Sequence, residues 1–340
     1  MKKTKYLYII WGFAMVASML SCETLLGEVS PDKLPKIEEK LVVNSFISPQ
    51  DTLVRVVVTT SSPIFTPAKS TGFSILNGDT FFIGQDAHVK NAKVVMGNSD
   101  KEIELKFNST GNWYEFKPSI NTFRIESGKT YFLTVSHENR VAKATCTVPE
   151  PQESFMQIVS KIESNTFSFA GQQDQVNVQI SARVTFELGK SNNSYFRMRG
   201  DAKAELEVLV VEEDKEPEYV PYIDFRRIRF ENQGIIDGSG LGTGITRTLS
   251  GNAFFANPSS NIEGGAYTSD KIPNITNLYI ELMAIDEAYY RYYKSILSYS
   301  ESPFVEPTPV YSNVEGGLGV FAASVRKGQS VSFKDNKPIF

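Results

Sequence analysis

The chain has 340 residues, of which 41% are hydrophobic, 12% aromatic and 22% charged, and its formal net charge is −4. This balance describes an ordinary globular protein and excludes an intrinsically disordered chain. The acidic net charge disfavours nucleic acid as a partner, because binding to nucleic acid requires a basic face. The 23 Phe and 15 Tyr residues favour a mainly β fold.

The first 21 residues are typical of a secretory signal peptide. Three lysines within the first five residues precede an uncharged run over residues 6–20. This run is shorter than the about 20 apolar residues that a membrane-spanning helix needs, so a cleaved signal is favoured over a short signal anchor. We therefore expect residues 1–21 to be absent from the mature protein.

Cys22 is the predicted lipidation site. It follows Met19-Leu20-Ser21, an order similar to a bacterial lipobox, although Met19 stands where Leu is usual. Several acyl chains on Cys22 would anchor the mature chain stably to a membrane. Residues 22–39 lack a sustained period and contain two prolines, which indicates a lipidated tether. The alternative is that part of this segment packs as an edge strand.

Only one other cysteine, Cys146, is present, so a lipidated Cys22 leaves no internal disulfide. Residues 144–148 alternate as in a strand, which predicts that Cys146 is a small buried hydrophobe. A nucleophilic cysteine would need a nearby histidine, and this segment has none.

Residues 40–149 are predicted to form an immunoglobulin-like β-sandwich. Short strands follow one another at the spacing of such a fold, and Asn77-Gly78 between apolar runs is a strong hairpin signal. The predicted strands are residues 41–43, 52–59, the two arms of 74–83, 93–96, 102–107, 113–116, 130–136 and 140–148.

Candidate ligand residues in this part are few. His88 and His137 lie at strand ends among polar residues, and no spacing typical of a metal site accompanies them, so we expect surface histidines, no metal site and no cofactor. Trp113 and Tyr114 suggest an exposed platform for a sugar or peptide, but core packing is the favoured interpretation.

Residues 150–340 are predicted to form a second β-rich domain, because Pro149 and Pro151 interrupt both helix and sheet pairing. Residues 176–184, 194–198 and 204–211 have strand character. The acidic run 212–218 is interpreted as a solvated hairpin tip, with calcium binding as the alternative. Two glycine-containing segments, 237–244 and 257–269, are predicted loops. The first lacks the spacing of a phosphate-binding loop, and the sequence does not decide whether it binds a ligand.

The C-terminal region contains one amphipathic helix, predicted over about residues 286–298. Asp286 is its expected N-cap, and a stripe of tyrosines recurs at three- and four-residue steps so that it can lie across a sheet. The glycine-rich turn that follows is interpreted as structural rather than catalytic, holding the helix against the sheet. The candidate structural signature comprises Tyr289, Tyr290, Tyr293, Asn313, Glu315, Gly316, Gly317 and Gly319.

Segments across the mature chain resemble a family of Bacteroidota lipoproteins catalogued as domain of unknown function 4249. They are YYRYYKSILS at 289–298, PFVEPTPVYSNVEGGLGVFAA at 303–323, LVVNSFISPQDTLVRVVVTTS at 41–61, VKNAKVVM at 89–96, SGKTYFLTVS at 127–136 and KATCTVPEP at 143–151. The resemblance implies an outer-membrane lipoprotein with an immunoglobulin-like N-terminal part, often encoded near TonB-dependent receptors. It carries over no activity and no catalytic residue.

These observations predict a non-catalytic outer-membrane lipoprotein that is an accessory or ligand-capturing partner of a TonB-dependent transporter. Its expected partners are the membrane through Cys22, the transporter and a small ligand. A surface adhesion or structural lipoprotein is the alternative, and both the periplasmic and the surface-exposed side of the membrane stay open. An enzyme such as a two-carboxylate glycan hydrolase is disfavoured, because no motif pairs two acids or a nucleophile with a base.

Overall fold

Apolar and polar residues alternate along most of the chain, and the computed structural model accordingly consists mainly of β-sheets. The structure describes residues 38–61, 71–76, 79–84, 88–151, 154–167, 175–188, 194–212, 215–238, 246–256, 259–262, 265–268, 272–298 and 309–339. The predicted signal peptide, Cys22, most of the tether and residues 239–244 of the glycine-rich loop lie outside the described residues.

The described residues of the predicted immunoglobulin-like part form ten strands. They are β1 Leu41–Ile47, β2 Val54–Thr60, β3 Thr71–Leu76, β4 Asp79–Gly84, β5 Lys93–Gly97, β6 Glu102–Glu104, β7 Lys106–Asn108, β8 Trp113–Phe116, β9 Thr130–His137 and β10 Arg140–Thr147. The hairpin predicted around Asn77-Gly78 is confirmed, because β3 and β4 pair as antiparallel neighbours.

The single strand predicted over residues 102–107 is wrong. The chain divides at Leu105, so that β6 pairs with β5 in one sheet and β7 pairs with β8 in another. Leu105 is buried between them, and its backbone N–H donates to the Val94 carbonyl oxygen at 2.9 Å. Leu105 is therefore buried at the point where the chain passes from one sheet to the other. The alternation of apolar and polar residues in the sequence does not show this change.

Twelve further strands and one α-helix follow in the described residues. The strands are β11 Ser154–Phe167, β12 Gln175–Leu188, β13 Tyr195–Glu212, β14 Glu218–Arg227, β15 Arg229–Phe230, β16 Ile235–Asp237, β17 Thr246–Ala256, β18 Ser259–Ile262, β19 Gly265–Thr268, β20 Asn274–Ile285, β21 Gly317–Lys334 and β22 Lys337–Ile339. The helix α1 spans Glu287–Ser298, which confirms a mainly β fold with a helix near the C-terminus.

Two predictions for this part are wrong. The strands expected at 194–198 and 204–211 are one 18-residue strand, β13. Strand β20 pairs with Tyr195–Glu205 and so runs across Gly200, with a register shift between Lys203 and Ala204. The second predicted loop, 257–269, contains the antiparallel hairpin of β18 and β19. The acidic run 212–218 does connect two antiparallel strands, β13 and β14.

The strands form one large sheet and three smaller ones. The large sheet has the order β18-β19-β13-β20-β21-β1-β2-β8-β7, with β14 and β16 beside β13 and β22 beside β21. The smaller sheets are β10-β9-β5-β6, β11-β12-β17-β15 and the β3-β4 hairpin. The described residues of 40–61 and 68–340 belong to one compact unit.

Each face of the large sheet has a different cover. On one face, side chains of β1, β2 and β21 pack with the β10-β9-β5-β6 sheet in one core, and side chains of β13 and β20 pack with β12 and β17 in a second core. The opposite face carries α1, whose tyrosines pack with Phe46, Met283 and Val320 in a third core. The helix therefore occupies only part of this second face.

Strand β21 brings the N-terminal and C-terminal parts into the same sheet. Its first half runs parallel to β1, with Leu41–Ile47 opposite Gly317–Ala323. Its second half runs antiparallel to β20, with Asn277–Ile285 opposite Ser324–Ser332. The predicted domain boundary near residue 150 falls where the chain passes from β10 to β11, and it stays a prediction.

Helix α1 begins as the sequence predicts. The Asp286 carboxylate accepts a hydrogen bond from the Tyr289 N–H at 2.8 Å, and Glu287 in the first turn forms an ion pair with Arg291. Tyr289, Tyr290, Tyr292 and Tyr293 are buried against the sheet. The predicted stripe of rings therefore does lie across the strands.

Asn313, Glu315, Gly316, Gly317 and Gly319 form a joint between β10, β21 and β1, here called the 313–319 joint. The Asn313 side chain donates to the carbonyl oxygens of Thr145 and Phe321 and accepts from the Phe321 N–H. The Glu315 backbone exchanges two hydrogen bonds with Lys143. A Cβ atom on Gly319 would lie 2.1 Å from the Val43 carbonyl oxygen, so the glycine allows β21 to approach β1.

We expect Gly319→Ala to lower the free energy of unfolding by about 2 kcal/mol or more, because Gly319 has φ +107° as well as this close contact. The measurement is chemical denaturation of the full chain. Gly328→Ala in the same strand is the matched control, since its methyl group meets only the Tyr279 side chain, and it should cost less than about 1 kcal/mol. Equal stability of the two variants would contradict the role of Gly319.

We also expect Asp286 to make stability depend on pH. Burial raises the pKa of the Asp286 carboxyl to about 8, although backbone hydrogen bonds at Tyr289 and Ala323 oppose the shift. In the unfolded chain this pKa is about 3.9, so the folded state holds the extra proton between about pH 4 and pH 8. The resulting contribution to stability is complete below pH 4 and is lost as pH rises to 8, by at most about 1.4 kcal/mol per pH unit.

The test is the melting temperature of Asp286→Asn, which keeps an oxygen acceptor for the cap but does not titrate. The variant should match the wild type at pH 4, become progressively more stable than it up to pH 8, and show a constant difference above pH 8. Glu287→Gln, at the exposed neighbouring position, is the control for a general change of helix charge. Parallel pH profiles of Asp286→Asn and wild type would show that Asp286 is ionised throughout.

Candidate functional site

A cleft of about 480 Å³ opens on the same face of the large sheet as α1. Its walls carry four arginines and two aspartates, a formal excess of two positive charges, and we call it the arginine cleft. The lining residues are Phe46, Gln50, Asp51, Thr52, Leu53, Arg55, Arg199, Asp201, Arg227 and Arg326.

Strand register explains why these charges meet. Arg199 lies opposite Glu281, and Asp201 lies opposite Tyr279 on one side and Arg227 on the other. Residues opposite each other in a sheet share a face, and residues two apart in a strand share it as well. Charged residues of β13, β14, β20 and β21 therefore line one face, next to the turn between β1 and β2 that supplies Asp51.

Three arginines of the cleft face carboxylates. Arg326 forms an ion pair with Asp51, Arg227 Nε lies 3.4 Å from Asp201 Oδ1, and Arg199 Nε lies 3.7 Å from Glu281 Oε1. Burial raises the pKa of Asp51, while the nearby Arg326 guanidinium lowers it. These pairs hold the long side chains in place and compensate part of the positive charge.

Arg55 differs from the other three. Its guanidinium lies 4.7 Å from the centre of the Trp113 ring, and the Trp113 indole N–H donates to Glu115 Oε2 at 2.5 Å. The Nε atoms of Arg55 and Arg199 are both buried without a hydrogen-bond partner, but Arg199 faces Glu281 whereas no carboxylate of the described residues forms an ion pair with Arg55. The ring therefore orients a guanidinium that retains donors for an incoming anion.

Phe46 connects the floor of the cleft with the tyrosine helix. Its ring centre lies 5.1 Å from that of Tyr289, 6.1 Å from that of Tyr292 and 6.0 Å from that of Tyr293. Edge-to-face packing of this kind fixes ring positions in a core. Tyr289 and Tyr293 of the sequence signature thus lie beside the cleft and hold Phe46 in its wall.

A second hollow, of about 510 Å³, lies over β12 and β17 and has a different character. Its charged residues are Lys161, Arg183, Arg229 and Glu231, and all four are exposed. Exposed charges interact weakly with a ligand because water screens them. In the arginine cleft, Arg55 and Arg326 are partly buried, Arg199 is buried and only Arg227 is exposed, so this cleft is the better candidate binding site.

The sequence-predicted candidates lie elsewhere. Asn313, Glu315, Gly316, Gly317 and Gly319 form the 313–319 joint, and Tyr289, Tyr290 and Tyr293 lie in the core under α1. The prediction of a buried Cys146 is confirmed, and burial raises the pKa of its thiol well above the usual value.

The structure also shows the surroundings of the two histidines and of the neighbouring aromatic residues Trp113 and Tyr114. His88 and His137 are partly buried, so the prediction of surface histidines is wrong, and burial lowers the pKa of His88. Tyr114 is buried, and its hydroxyl donates to the Val89 carbonyl oxygen at 3.0 Å, as core packing predicts. Trp113 is half-buried beside Arg55.

Sequence reasoning missed the arginine cleft. Its arginines come from positions 55, 199, 227 and 326, and only strand pairing brings them together. A usable signal was present, because Arg55 interrupts the apolar run Val54–Val58 and Arg197 and Arg199 share one face of a long strand. Arginines inside such runs mark a face that is not a simple apolar core.

The described residues contain neither a cluster of metal ligands nor a membrane-spanning helix. No group of three or more His, Cys, Asp or Glu side chains there has the arrangement of a metal site. Within the same residues, no helix has the length and apolar character needed to cross a membrane.

Comparison with known proteins gives the family of the chain. No curated protein matches the chain. The family model described as Domain of unknown function (DUF4249) matches residues 28–330, which is most of the sequence. The chain therefore belongs to the DUF4249 family.

Proposed function

We propose that this protein is a non-catalytic, lipid-anchored protein of the outer membrane that captures an anionic small ligand in the arginine cleft. The observation that carries the ligand class is Arg55, whose guanidinium is positioned by Trp113 and forms no ion pair with a described carboxylate. A ligand with a carboxylate or phosphate group would supply the missing acceptor.

The surroundings of Arg55 support capture rather than chemistry. Asp51 and Asp201 are each held by an arginine, so neither is placed as a general base with a second acid beside it. The ion pairs keep the cleft in a fixed shape before the ligand arrives, which reduces the entropy lost on binding. The excess of positive charge attracts anions and holds them through hydrogen bonds that do not require a covalent step.

We also propose a location and a partner for this protein. The lipobox-like sequence at Cys22 and the tether over residues 22–39 support attachment to a membrane with some reach. The family resemblance supports the outer membrane and a TonB-dependent transporter as the partner that receives the ligand. In this arrangement the cleft raises the concentration of an anionic ligand close to the transporter entrance.

We expect the full-length chain in mild detergent to bind citrate or inorganic pyrophosphate in isothermal titration calorimetry. Arg55→Met should weaken this binding about tenfold or more, because a hydrogen bond to a charged group contributes about 1.5–3 kcal/mol. Arg247→Met, at an exposed position of β17, is the matched control and should bind as the wild type does. Failure of both probes to bind, or equal weakening in both variants, would contradict an anion site at Arg55.

The partner is tested by affinity purification of the tagged lipoprotein from its own outer membrane, followed by mass spectrometry. A TonB-dependent barrel in stoichiometric amount is the expected result, and Cys22→Ala should lose both the membrane attachment and the barrel. Recovery of the wild-type lipoprotein alone would contradict the transporter partnership. A surface adhesion or structural role would then be tested on glycan and peptide arrays.

A further inference from the structure

Strand β14 is an exposed edge of the large sheet. Within the described residues it pairs with β13 alone, through all ten of its positions, Glu218–Arg227. Its large apolar side chains are exposed to solvent, Tyr219 by 44%, Tyr222 by 43%, Ile223 by 50% and Phe225 by 67%. Natural sheets usually protect an edge with short strands, charges, proline or a covering element. Charges lie mainly at the ends of β14, and the exposed apolar side chains between them point to a partner.

The exposed residues are arranged in two rows. Tyr219, Pro221, Ile223 and Phe225 lie on the face that carries the arginine cleft, in register with the outward positions of β13. Glu218, Val220, Tyr222, Asp224 and Arg226 lie on the other face. The first row is apolar from Tyr219 to Phe225 and ends at Arg227 of the cleft. The second row has acids at positions 218 and 224 and a base, Arg226, whose Nε donates to the Asp224 carboxylate at 2.8 Å.

We propose that the partner is a second copy of this chain, whose β14 pairs antiparallel with the first about a twofold axis at Tyr222. In this register Tyr222 lies opposite its own copy and Tyr219 lies opposite Phe225 of the second copy. Pro221 lies opposite Ile223, Val220 opposite Asp224, and Glu218 opposite Arg226. The apolar row meets an apolar row on one face, while both strand ends bring opposite charges together on the other.

Neighbouring registers are less complementary. When the twofold axis is perpendicular to a continuous sheet, every residue of β14 must stay on its own face of that sheet. The axis can therefore move only from one residue to the next, which shifts the pairing by two residues at a time. Moving the axis to Pro221 places Glu218 opposite Asp224, so that like charges meet twice. Moving it to Ile223 places Tyr219 opposite Arg227 and leaves Glu218 without an opposite residue in the strand. The charge pattern of β14 therefore selects the register centred on Tyr222.

Pro221 limits the strength of the pairing without preventing it. Proline lacks the N–H group and is tolerated at strand edges when that position faces away from the paired strand. Each copy then loses one hydrogen bond across the new pair, and the neighbouring residues retain theirs. A ten-residue strand pair buries less surface than a standard protein interface, so the dimer should be weak and depend on protein concentration.

Disulfide trapping of the full chain in its membrane tests the register. Tyr222→Cys places two thiols directly opposite each other, at a Cα separation of about 4.5–5.5 Å that suits a disulfide. Val220→Cys and Asp224→Cys each place their thiols about 13 Å apart, and the two changes combined in one chain bring them together again. We expect covalent dimers with Tyr222→Cys and with the double variant only. Equal trapping at every position, or none at Tyr222→Cys, would overturn the proposal.

Charge reversal gives an independent test in solution. Glu218→Arg should shift the full chain in mild detergent towards monomer in sedimentation velocity, with at least a tenfold higher dissociation constant, and Arg226→Glu should act in the same way. The combined variant Glu218→Arg with Arg226→Glu restores opposite charges at both ends and should dimerise as the wild type does. A monomeric wild type, or a double variant no better than the single ones, would refute the pairing of two β14 strands.

Discussion

The parallel pairing of β21 with β1 is the constraint on which the rest of the architecture depends. Parallel strands cannot be joined by a tight turn, and Leu41 and Gly317 are far apart in the sequence, so no local signal sets their register. The close approach of Gly317 to Leu41 and of Gly319 to Val43 favours this register, and the hydrogen bonds of Asn313 fix the start of β21 against β10. Once this pair forms, β20 and β13 extend the same sheet on the other side of β21.

A sheet assembled in this way has two faces with different chemistry. One face is covered by two smaller sheets and becomes the apolar interior. Among the described residues, the other face is covered by α1 over part of its width, because a single 12-residue helix is too short to shield so many strands. The arginine cleft occupies the part of this face next to the helix, and Phe46 belongs to both. The cleft is therefore a consequence of incomplete coverage rather than of a separate binding module.

Sequence patterns predicted the features that depend on neighbouring residues. The hairpin at Asn77-Gly78, the helix with its Asp286 cap and the burial of Cys146 all follow from turn, capping and alternation rules. These rules did not predict the features that depend on pairing between residues far apart in the sequence. Leu105 changes sheet, and Gly200 lies within a continuous strand, because of partners elsewhere in the chain. The arginine cleft was missed for the same reason, since Asp51 and Arg326 are 275 residues apart.

Two arginines on this face show how a structural guanidinium differs from one suited to a ligand. Arg197 is 4% exposed, lies 4.0 Å from the Tyr293 ring centre and donates to the Tyr289 hydroxyl at 2.7 Å. Arg55 also lies against an aromatic ring, but it lines an open cleft and its Nε is buried without an acceptor. A buried cationic donor without an acceptor costs free energy that a bound anion recovers. The same type of side chain therefore stabilises the helix packing at position 197 and, under the proposed function, is available to an anionic ligand at position 55.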